Sequence, residues 1–161
     1  MLKDYFKRYF LRALMAASVY CIMVVIFLIQ KQFQSIWLLF LGNALYLAAV
    51  ATIVFLSSKA QKFEGSPLTS AISGHMLSIT GAALSVILSL LLYFLFYVGI
   101  DGSKGETLHQ APADLSANGA SHGMLFILIV VAALGNTITG FFAAIFTSFG
   151  SSKKQESEQA S

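Results

Sequence analysis

The chain has 161 residues, of which 57% are hydrophobic and 11% charged, and a formal net charge of +3. A soluble domain carries about 25% charged residues, so this chain has too few polar groups to cover a globule in water. Its length allows one domain, and its basic residues stand at the ends of apolar runs, where they set membrane orientation and do not form a nucleic-acid surface.

In residues 1–9, Leu2, Tyr5, Phe6 and Tyr9 fall at helical spacing opposite Lys3, Asp4, Lys7 and Arg8. This pattern suits a short amphipathic helix at the cytoplasmic interface, or a simple extension of the first span with anchoring residues. Four apolar runs then follow, each at least the roughly 20 residues that a spanning helix needs: 10–29, 36–56, 71–99 and 122–149. None contains Asp, Glu or Lys, and the only Arg is Arg12, at the mouth of the first. The flank Gln30-Lys31-Gln32-Phe33 lacks a small-residue cleavage pattern, so the first run reads as an uncleaved span. Cys21 lies inside it as the only cysteine. It excludes an intrachain disulfide, a Cys-pair redox centre and a Cys-rich metal site, and reads as a packing residue.

Orientation follows from the flanking Lys and Arg. With the termini inside, Lys3, Lys7, Arg8, Arg12, Lys59, Lys62, Lys153 and Lys154 are cytoplasmic, and only Lys31 and Lys104 are outside. Residues 101–121 form the long outer loop, rich in Gly, Ala and Ser, and the polar tail 150–161 reads as disordered and cytoplasmic. The fold expected is an all-α integral membrane protein, a four-transmembrane-helix up-down bundle over 10–149 preceded by a short N-terminal amphipathic interfacial helix.

Spans two and four share a local pattern: Leu41-Gly42-Asn43 recurs as Leu134-Gly135-Asn136. The two triplets would place both asparagines at one depth. They are read either as a trace of two related hairpins or as a chance identity. Span four also has more residues before its Asn than span two, so the second hairpin should be longer, tilted or projecting outward.

Small residues form stripes. Gly74, Ser78, Ala82 and Ser85 line span three; Asn136, Gly140 and Ala144 line span four at strict spacing four. In lipid, such residues allow close backbone approach and interhelical hydrogen bonds. These six helix-packing positions are Gly74, Ser78, Ala82, Ser85, Gly140 and Ala144. The candidate intramembrane polar contacts are Asn43, Asn136, His75, Thr137 and Thr139. An Asn in hydrocarbon is expensive unless hydrogen-bonded. It therefore marks either interhelical bonding or a polar pathway.

Histidines invite a haem or metal reading, but about 25–30 Å of bilayer separates His75 from His122, and one group cannot bridge that distance. His109 and His122 share the outer side with Asp101, Glu106 and Asp114 but lack tight ligand spacing. Proton-coupled multidrug export through a membrane-embedded glutamate is disfavoured, because no span holds an acid. Thiol oxidation lacks its cysteine pairs, and no protease constellation is apparent. No catalytic, cofactor-binding or metal site is therefore expected. The expected function is a non-enzymatic subunit or interaction partner of a membrane assembly, in the lipid bilayer of a bacterial cytoplasmic membrane, bound to other subunits or to itself. The alternative is a channel or carrier for a small solute with a polar lining around Asn43 and Asn136.

Overall fold

The computed structural model describes residues 2–30, 33–60, 67–98 and 120–146, with side chains over 9–30, 34–57, 72–96 and 123–146. The described residues are all helical, with no strand. Helix α1 is Leu2–Gln30. A single 3-10 turn, Phe33–Ile36, leads into α2, Trp37–Ala60. Helix α3 is Pro67–Tyr93 and ends in a π-helical turn, Phe94–Val98. Pro67 stands at its first position, where the missing N–H and fixed φ are harmless. Helix α4 starts as Ala120–Val130, passes through a π-helical turn at Val131–Gly135, and continues helically over 136–146. The expected outer loop 101–121 lies outside the described residues except for its last two positions, which begin α4; His109 and the tail 150–161 lie outside them entirely.

Four of these helices are long and apolar enough to cross a membrane: Tyr9–Gln30, Gln34–Ser57, Ile72–Phe96 and Gly123–Phe146. Residues 2–9 continue into the first span as the first turns of α1, the second of the two readings given above; no Gly or Pro interrupts the chain between Leu2 and Gln30.

The core is one cluster built from a stripe on each helix. Helix α1 supplies Ala13, Ala16, Ala17, Tyr20, Val24, Phe27 and Leu28, which recur at three- and four-residue spacing and so share a face. Helix α2 supplies Leu39, Asn43, Tyr46, Val50 and Val54 with the same alternation. Helix α1 packs extensively on both α2 and α3, and α4 packs on α3 and α2.

Six of the buried positions on α4 recur every fourth residue, Met124, Leu128, Ala132, Asn136, Gly140 and Ala144, with Ala143 buried beside the last. In a regular α-helix, four residues overshoot one turn by about 40°, so such a stripe would drift off its neighbour. A π turn is wider and takes up part of that overshoot. The π turn at Val131–Gly135 thus keeps both halves of the stripe facing inward.

The outer surface is apolar. Leu11, Met15, Ile22, Trp37, Phe40, Ile79, Leu91, Phe126 and Phe146 are all exposed. Hydroxyls on this surface bond to their own helix: Ser18 to Leu14 O, Thr52 to Ala48 O and Thr80 to Met76 O, each at 2.8 Å. Satisfying hydroxyls locally is what a helix surface requires where water is absent.

Candidate functional site

Asn43 and Asn136 both lie in the middle third of their spans, and both are buried. Glycines bring their surroundings together. A Cβ at Gly135, the residue before Asn136, would overlap the Asn43 side-chain amide. The two asparagines therefore sit at one depth, on helices that lie side by side. One turn further along α4, a Cβ at Gly140 would overlap Ser78 Oγ on α3 and come within 3.2 Å of Tyr46 Cε1 on α2. Four residues beyond that, Ala144 faces Gly74, where an added Cβ would lie 2.7 Å from the Ala144 Cβ. The pairs Gly74 with Ala144 and Ser78 with Gly140 form one seam of small residues, and α3 and α4 approach each other as closely as their backbones allow.

Tyr46 ties α2 to α3. Its hydroxyl donates to Ser78 O at 2.8 Å, and it rests where a Cβ on Gly81 would collide with it. Ser85 Oγ donates to Gly81 O at 2.9 Å within α3, and Ala82 is buried between these residues. Tyr20 on α1 lies against Gly42, next to Asn43; a Cβ added at Gly42 would come 3.0 Å from Tyr20 Cδ2.

Backbone irregularity is concentrated at the same level. Asn136 closes the π turn and donates its N–H to Ala133 O, three residues back. Thr139 Oγ1 donates to Gly135 O at 2.8 Å and approaches Asn136 O at 3.4 Å. π turns often mark sites at which a helix does more than pack.

Not every expected contact is made. Asn136 was expected to bond across helices or line a pathway; both its Oδ1 and Nδ2 are buried without a partner among the described residues. Asn43 Oδ1 and Ser78 Oγ are in the same condition. Thr137 points to the exposed side of α4 and lies outside the node, and Thr139 serves its own helix. His75 is half-buried and stacks on Phe141 with ring centroids 4.3 Å apart and planes at 17°. This contact secures α3 to α4 toward the start of span three, away from the asparagines. No group of three His, Cys, Asp or Glu that could hold a metal occurs among the described residues.

The sequence picks out Asn43, Asn136, Ser78 and Gly140, with Gly81 beside the span-three stripe, but not Tyr46. The available signal was Tyr46 itself, three residues after Asn43 and so on the same helix face, with a hydroxyl that needs a partner in apolar surroundings. The chain matches no protein-family model, no curated protein and no solved structure.

Proposed function

We propose that this protein is a non-enzymatic subunit or interaction partner of a membrane assembly: a four-span up-down bundle in a bacterial cytoplasmic membrane, with both ends cytoplasmic. The reading rests on one observation above all. The first two spans bury 44% and 39% of their apolar windows inside the chain, whereas the third and fourth bury 28% and 22%. Helices α3 and α4 thus present most of their apolar surface outward. On α4 that surface carries Phe141, Phe142 and Phe146, whose neighbouring rings lie 6.3 Å apart in edge and stacked arrangements. Large aromatic faces of this kind suit protein contacts within a bilayer as well as lipid.

Eight basic residues on the termini and the second connection, against two elsewhere, support the orientation. Mass measurement of the full chain purified in mild detergent tests the proposal. A homo-oligomer, or a larger assembly that includes a second membrane protein, is expected; a lone monomer overturns it.

A second reading is a channel or carrier for a small solute. It is favoured by the buried amide of Asn136, unpartnered among the described residues, beside Gly135, which abuts Asn43. Reconstituted flux that is unchanged in Asn136→Leu would remove that lining.

A further inference from the structure

Four buried polar side-chain atoms on three helices, close to one stretch of α4, have no hydrogen-bond partner among the described residues: Asn43 Oδ1, Ser78 Oγ, Asn136 Oδ1 and Asn136 Nδ2. The burial is near complete, with Asn136 0%, Ser78 1% and Asn43 6% exposed. Their placement follows from the glycines. Asn43 meets α4 at Gly135, beside Asn136, and Ser78 meets it at Gly140, one turn on. Residues 136 and 140 share a helix face. Buried polar groups are almost always hydrogen-bonded, to protein or to ordered water.

The chemistry of the set selects the occupant. It offers two carbonyl acceptors, an amide donor and a hydroxyl that can do both. Residues 34–56, 71–99 and 122–149 contain no Asp, Glu, Lys or Arg. A cation here would face an amide N–H with no counter-charge, and an anion would face two carbonyl oxygens. A neutral molecule that both donates and accepts fits. The glycine contacts leave the polar heads against the α4 backbone, which favours the smallest such molecule.

We infer that Asn43, Ser78 and Asn136 form a water-binding site that bridges α2, α3 and α4 at the centre of the bundle. Water with three or four such partners is a structural element of the interior. It closes the hydrogen bonds that the helices leave open, and the complete burial of Asn136 makes it resident and not in transit. The inference does not depend on what the bundle assembles with.

The chain has three asparagines, Asn43, Asn118 and Asn136. The full chain labelled with 15N-asparagine, in detergent or nanodiscs, therefore gives three side-chain amide pairs, assigned by Asn→Ser replacement at each position. The expected result is direct dipolar transfer from water to the Asn43 and Asn136 amide protons, with the sign of a long-lived bound molecule. Absence of transfer to both, or contacts from detergent or lipid protons instead, overturns the site. A second measurement uses thermal midpoints. Asn136→Leu alone leaves the other groups open, whereas Asn43→Leu, Ser78→Ala and Asn136→Leu together remove the demand for water. The triple variant is expected to melt no lower than the Asn136→Leu variant; midpoints that fall additively refute the bridge.

Discussion

Ser78 Oγ occupies the space that a side chain at position 140 would enter. Gly140→Ala would also bring a methyl within 2.8 Å of Ser78 Cβ, with Tyr46 on the far side at 3.2 Å. Overpacking of this kind costs about 1–3 kcal/mol. Gly140→Ala is expected to lower the unfolding midpoint accordingly, and Ser78→Gly in the same chain to recover most of the loss. Unfolding in lipid or mild detergent measures both.

The Tyr46 hydroxyl supplies one hydrogen bond between α2 and α3 and also blocks any side chain at Gly81. Tyr46→Phe should lose about 0.5–1.5 kcal/mol. Gly81→Ala should be more harmful in the parent chain than in the Tyr46→Phe background, because the clashing oxygen is then absent. A double-mutant cycle reads this coupling directly.

Arg12 Nη1 donates to Ser57 Oγ at 2.8 Å, joining the start of the first span to the end of the second. The pair is only part-buried, so Ser57→Ala should reduce stability by no more than about 1 kcal/mol. Arg12→Leu should leave the orientation unchanged, since Lys3, Lys7 and Arg8 remain. Labelling of an engineered N-terminal cysteine in a Cys21→Ala background, from either side of the membrane, checks the second outcome.

The π turn at Val131–Gly135 carries more residues than an α turn would. Deleting Ala133 should convert it to regular helix and leave a folded, monodisperse protein. Deleting Ala83 from the unbroken part of α3 should not, because every later residue of that helix turns by about 100°. Size-exclusion profiles of the two deletions compare them.

The spans were legible in the sequence because hydrocarbon imposes a strong composition rule: the expected runs 10–29 and 36–56 differ from the structural spans by a residue or two at each end. The level shared by Asn43 and Asn136 was legible too, from the repeated Leu-Gly-Asn triplet. Partner choice was not. Which helix Gly74 or Gly140 faces depends on helix arrangement, and a stripe of small residues looks the same whichever neighbour it meets. The π turn was concealed because no residue type demands it. It follows from keeping Met124 and Ala144 on one face over five steps of four, a geometric condition visible only when both ends have a common partner. Tyr46 was overlooked because an aromatic in an apolar run looks like packing until its hydroxyl is followed to Ser78 O.

Helix α1 rests on α3 as extensively as on α2. A chain emerging from a ribosome delivers α1 and α2 well before α3. Until the third helix arrives, the buried face of α1 lacks part of its eventual cover. The first two helices are thus an unfinished object, dependent for their completion on a segment still being synthesised.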